Sequence, residues 1–153
     1  MNAIQQVTRQ SLWVILGTVA ALLSGCADMG TSGGIQVTLS GSQEVPPVTT
    51  AATGSGTITV GADKSVSGSV TTTGVAATAA HIHVGAAGKN GPVIIPLTKT
   101  GDNVWSLSAG AKLTDAQYES YKAGDLYVNV HSAANKGGEV RGQLKHEERK
   151  MGY

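Results

Sequence analysis

The strongest constraint on this chain is a two-residue hydrophobic period that recurs in short segments. It is clearest in Ala80-His81-Ile82-His83-Val84-Gly85 and in Leu126-Tyr127-Val128-Asn129-Val130-His131. In an extended strand, successive side chains point to opposite faces. Ala80, Ile82 and Val84 then share one face and His81 and His83 the other, while Leu126, Val128 and Val130 leave Tyr127, Asn129 and His131 on a polar row. If both strands turn their apolar rows toward one core, three imidazoles emerge together on the opposite side. Composition agrees with strands: aromatics are 4% of the chain and phenylalanine is absent, so Val, Ile, Leu and Ala must fill the interior beside Trp105 and a few tyrosines.

The same alternation predicts strands over 35–39, 56–60, 65–71 and 104–107, with residues 61–64 as a hairpin turn between the second and third. Residues 93–95 are wholly apolar and should end at Pro96, because proline cannot donate to a ladder. One helix is expected over 115–122, capped by Thr114, with Asp115 early, Lys122 late and Gly124 just past its end. In the last strand, 139–144, Val140 and Leu144 face inward, and Glu139, Arg141 and Gln143 continue the polar face that carries His131. Residues 49–54 read as a soft connection, and Glu44, in the loop before Pro46-Pro47, reads as a solvated charge.

Residues 1–25 stand apart. Arg9 is their one charge, and the apolar run 12–23 is shorter than the roughly 20 residues that a membrane-spanning helix needs, so the segment reads as a secretory signal. Leu23-Ser24-Gly25-Cys26 resembles the lipobox of bacterial lipoproteins, in which the cysteine is lipidated and becomes the new N-terminus. Cys26 is the one cysteine, so the exported domain has no internal disulfide and lipidation would dispose of its lone thiol. Ala27 stands where an inner-membrane retention signal would carry aspartate, which implies the outer membrane, on its periplasmic side or at the cell surface. Residues 26–34 then form a flexible tether, 35–145 one domain, and 146–153 a charged tail whose His146 is left out of any site.

Charge narrows the partners. The chain has 11 basic and 10 acidic residues, and Arg9 of the leader accounts for the excess, so no basic field for nucleic acid exists. The glycine-rich loop 85–91 fails as a phosphate loop, which would need glycine at His83 and serine or threonine at Asn90. Nucleotide binding is therefore not expected. Nor does the residue order suggest a Ser-His-Asp or Cys-His arrangement, so the chain is not read as an enzyme.

Four motifs in order resemble the CHRD domain, a module of chordin and of bacterial secreted proteins. They are Gly-Ser-Gln-Glu-Val-Pro-Pro at 41–47, Ala-His-Ile-His-Val-Gly through Gly-Pro-Val at 80–93, Tyr-Val-Asn-Val-His at 127–131, and Gly-Glu-Val-Arg-Gly-Gln-Leu at 138–144. The resemblance implies an all-β, Greek-key sandwich of immunoglobulin-like or superoxide-dismutase-like type, with one short helix, used outside the cell. The His-x-His pair and its distant third histidine also resemble the copper side of copper–zinc superoxide dismutases. That implies copper, with zinc as second choice, held by His81, His83 and His131. Dismutase activity is not expected, because the disulfide and a fourth histidine bridging to zinc are both missing.

Two readings follow. In the first, the histidines ligate a metal while Asn129, Tyr127, Glu139 and Arg141 surround them, with Glu139 or Asn129 orienting a ring. In the second, the same residues form a hydrogen-bonded network, Arg141 pairs with Glu139, and the domain recognises an envelope or extracellular protein through loops 41–53 and 85–92.

Overall fold

The computed structural model describes residues 33–145. The leader 1–25, the lipidation candidate Cys26, all but the end of the tether, and the tail 146–153 lie outside the described residues. Among the described residues are eight strands: β1 (Ile35–Ser40), β2 (Thr53–Val60), β3 (Val66–Thr73), β4 (Ala77–Val84), β5 (Val93–Lys99), β6 (Val104–Leu107), β7 (Leu126–Ser132) and β8 (Val140–Leu144). A short 3-10 turn, Gly41–Gln43, follows β1, and one helix, α1 (Asp115–Lys122), precedes β7. The helix begins as its sequence requires: Thr114 and Gln117 form a reciprocal capping box, and Tyr121 is buried against the core.

The strands close into an antiparallel barrel in the order β1-β2-β3-β6-β5-β4-β7-β8. This overturns the expected sandwich. Alternating rows have the same parity in either architecture, and the difference lies in whether the first and last strands meet. Here they do, at Ser40 and Arg141. Gly142 makes the seam possible: a Cβ on it would fall 2.6 Å from both the Thr38 carbonyl oxygen and Val37 Cγ2. Closure leaves no edge to protect, and an eight-stranded barrel has an interior just wide enough to be filled by side chains. Leu39, Ile58, Val70, Ile82, Val128, Val130, Val140 and Leu144 fill it. Each such aliphatic side chain contributes about 1.5–3 kcal/mol on burial, so the barrel stands on its inward rows and leaves the outward face free for other chemistry.

Two strands depart from their expected limits by three residues or more. β2 begins at Thr53, inside the stretch read as a connection, because residues 53–55 pair with both Ser40–Thr38 and Thr73–Thr71. β5 does not stop at Pro96 but runs through it to Lys99, with Pro96 opposite His81. The proline forfeits one ladder bond, and the pairing slips beside it: the register shifts between Ile82 and His83, which faces Val93. Such bulges re-aim side chains, and this one lies within the histidine strand.

Candidate metal centre

The barrel's outer face over β4, β7 and β8 is a small grid. Register places His81, Asn129 and Arg141 in one row and His83, Tyr127 and Gln143 in the next, with His131 opposite Ala79. Outward-facing positions on a barrel are normally wet, yet here His83 is 8% exposed, Asn129 2% and Arg141 1%. Two loops cover them, residues 41–48 after β1 and 85–92 after β4. The loops are tied together where Asn90 Nδ2 donates to the Val45 carbonyl at 2.7 Å.

The three histidines meet as strand parity requires. One ligand nitrogen from each of His81, His83 and His131 lies within 4.8 Å of the others. His83 Nδ1 faces the Gly91 carbonyl at 3.0 Å and His131 Nδ1 faces the Lys136 carbonyl at 2.9 Å. A carbonyl can only accept, so each Nδ1 carries a hydrogen, and the neutral form of such a ring presents a bare Nε2 lone pair. His131 Nε2 receives the Nδ1–H of His81 at 3.0 Å. His83 Nε2 is buried and has no hydrogen-bond partner. Burial lowers the pKa of both His81 and His83, and the neighbouring His131 adds to it. The neutral imidazole that results is the form that binds metal.

Backbone and aromatic contacts fix the rings. The Gly91 N–H donates to Tyr127 Oη at 3.2 Å while its carbonyl holds His83, so one residue anchors both side chains. The Tyr127 ring stacks on His83, with centroids 4.8 Å apart and planes 11° from parallel. The Arg141 guanidinium lies 3.5 Å from the centroid of the Tyr127 ring. It also donates to the Ala86 carbonyl, Gln143 Oε1 and Asn90 Oδ1 at 3.1, 3.1 and 3.4 Å.

The expected Arg141–Glu139 pair is thus replaced. Arg141 is drawn to the acceptors of loop 85–92, and Glu139 turns to Thr50, whose Oγ1 donates to it at 2.9 Å, and to Ser132 and Asn135. The hydrogen bond to Ser132 is the main reason that its carboxyl sits below the usual range. Asn129, proposed to orient a ring, instead gives its Nδ2 to Glu44, at 2.7 and 2.9 Å from the two oxygens.

Glu44 is the residue that sequence reading missed. It is not a solvated loop charge but 5% exposed, folded down onto Asn129 with the Arg141 charge nearby. Burial pushes its pKa up to about 7, although Arg141 and the Asn129 bond pull the other way. The available signal was Pro46-Pro47, which stiffens the loop just beyond it.

These donors fit a transition-metal ion. Two nitrogens each about 2.1 Å from one ion stand at most about 4.2 Å apart. His81 Nδ1 and His131 Nε2, 3.0 Å apart, already meet that limit once the His81 proton moves to its Nε2, and the widest pair must close by about half an ångström, a small side-chain rotation. Three neutral nitrogens suit copper or zinc and leave a coordination position open.

The CHRD domain family model matches residues 35–144. The chain belongs to the CHRD domain family. No curated protein and no solved structure matches it. The match runs from the first residue of β1 to the last of β8, so all three histidines and the two covering loops are part of the CHRD domain itself.

Proposed function

We propose that this CHRD domain is a metal-binding module of the bacterial cell envelope, tethered through lipidated Cys26 to the outer membrane, and that His81, His83 and His131 hold a single copper ion. The observation that carries the reading is His83 Nε2, a buried lone pair without a donor, beside two other imidazole nitrogens in a cluster no wider than 4.8 Å. A fully satisfied hydrogen-bonded network would pair this atom, since an orphaned buried acceptor costs about 1–3 kcal/mol. Copper is preferred to zinc because imidazole donors follow the usual affinity order, in which copper(II) ranks above zinc. The ion's chemistry would be Lewis-acid or redox in kind, and the protein's own part is to hold three neutral rings. We assign it no catalytic cycle.

A second reading rests on a different feature. The covering loops leave a cleft of about 300 Å³ lined by Ser42, Glu44, Pro47, Ala87, Arg141 and Gln143, which would suit a polar segment of an envelope protein. The two readings separate cleanly. Detergent-solubilised chain without a histidine tag should take up one copper per molecule, and the His81→Ala/His83→Ala/His131→Ala variant should take up none above background. Equal uptake by both proteins would end the metal reading, whereas partner capture that survives the triple substitution would support the second.

A further inference from the structure

Asn129 stands at the centre of the outer grid, beside His81 on β4 and Arg141 on β8. Its amide nitrogen is fully committed. Nδ2 donates to both oxygens of Glu44, and Gly138 bears so closely on it that a Cβ there would come within 2.2 Å of Nδ2. Gly138 has φ +134, which an L side chain rarely adopts, so the backbone against the amide is glycine by necessity. The amide oxygen is not committed. Oδ1 is buried and has no donor among the described residues. With Glu44 ionised, reversing the amide would not help, because it would set Oδ1 against the Glu44 oxygens and strand two N–H donors instead.

Two buried acceptors on adjacent strands, Asn129 Oδ1 and His83 Nε2, therefore both lack donors. The nitrogen arm of the amide is held on the β8 side by Glu44, which faces Arg141. The oxygen arm diverges from it at the same carbon, and on β4 the direct cross-strand neighbour of Asn129 is His81. Such neighbours have Cβ atoms about 4.5–5.5 Å apart, which puts the Asn129 side chain beside one of the three histidines.

Resting on the metal reading above, we propose that Asn129 determines which small ligand fills the open position of the centre. Its Oδ1 accepts a hydrogen bond from a metal-bound ligand that carries a hydrogen, such as water or hydroxide, and opposes one that presents only lone pairs, such as azide. Glu44 and Gly138 are positioning residues that keep the oxygen, rather than the nitrogen, turned to the ion. The selection needs no titration: a fixed carbonyl dipole stabilises a donor and repels an anion in any site from which water is excluded.

The test is an azide titration of the copper(II)-loaded full chain, followed by its ligand-to-metal charge-transfer absorption. Asn129→Leu removes the lone pair at nearly constant volume and is expected to tighten azide about tenfold. Should the leucine variant not fold, Asn129→Ser supplies a hydroxyl that can donate to azide and is expected to tighten it as well. In the wild type, pulsed EPR in H2O and D2O should show an exchangeable proton on the bound ligand. Azide affinity that ignores residue 129, or a wild-type ligand without an exchangeable proton, would overturn this assignment and leave the metal centre standing. A chain that takes up no copper would overturn both readings together.

Discussion

Gly91→Ala is expected to destabilise the domain by more than about 4 kcal/mol, a loss reached only where a substitution breaks a named structural constraint. A Cβ on Gly91 would lie 1.6 Å from the Val84 carbonyl oxygen and 2.8 Å from its carbon, and neither is the end of a flexible side chain. The two segments cannot part cheaply, because the Val84 N–H bonds the Pro92 carbonyl at 3.1 Å just beyond. Whatever room the methyl gains moves loop 85–92, and with it the Gly91 carbonyl that holds His83 Nδ1, the N–H that holds Tyr127, and the Ala86 and Asn90 oxygens that hold Arg141. Copper affinity should therefore fall as well, by roughly 10–100-fold, the usual cost of losing a partner that orients a ligand. Gly88→Ala is the control in the same loop. It has open space around it and only an unfavourable φ of +76, so its cost should stay near about 1 kcal/mol with metal affinity unchanged. Urea melts and copper titrations of both variants decide the matter. Equal effects of the two would show that the loop, not the Gly91 contact, sets the geometry.

What could be read from sequence and what could not divides along local and distant information. Strand parity is local, so the inward and outward rows of 80–84, 126–131 and 139–144 were legible, and with them the convergence of His81, His83 and His131. Barrel closure was not, because it depends on β1 meeting β8, and alternation is blind to the difference between a sheet that curls onto itself and two sheets stacked face to face. The fate of Glu44 was hidden for a similar reason: its partner Asn129 is 85 residues further along the chain.

Side-chain pairing on the polar face was misread where neutral oxygens, backbone and amide, compete with a carboxylate. Arg141 and Glu139 have opposite charge and share a face, so the sequence favours pairing them, but three oxygens contributed by Ala86, Asn90 and Gln143 outcompete a single carboxylate for a planar guanidinium. The carbonyls of Gly91 and Lys136, which decide the tautomers of two of the three histidines, leave no trace in side-chain pattern at all.

Glu44→Gln should remove a large pH dependence of stability. The folded protein holds the Glu44 proton up to a pKa of about 7, against the ordinary glutamate value of 4.5 that represents the unfolded chain. Between those values the folded state binds more protons than the unfolded one, so this group's contribution falls as pH rises through the window, is lowest above pH 7 and is relieved below 4.5. A tenfold change in proton affinity corresponds to about 1.4 kcal/mol. The penalty for the ionised form is then on the order of 3 kcal/mol, trimmed somewhat by solvent screening at the loop rim. The histidines act with the opposite sign: the lowered pKa values of His81 and His83 mean that their contribution is lost as pH falls below the ordinary imidazole range. The two effects overlap in the wild type, and the difference between wild type and Glu44→Gln isolates the first. The substituted amide keeps an oxygen to accept from Asn129 Nδ2 but cannot ionise. Urea unfolding of the metal-free chains should therefore show the variant more stable by about 2–3 kcal/mol at about pH 8.5, with the gap shrinking to within about 1 kcal/mol at about pH 5. Parallel stability curves across that range would mean that Glu44 is ionised at no cost, and that loop 41–48 admits more water onto Asn129 than its 2% exposure implies.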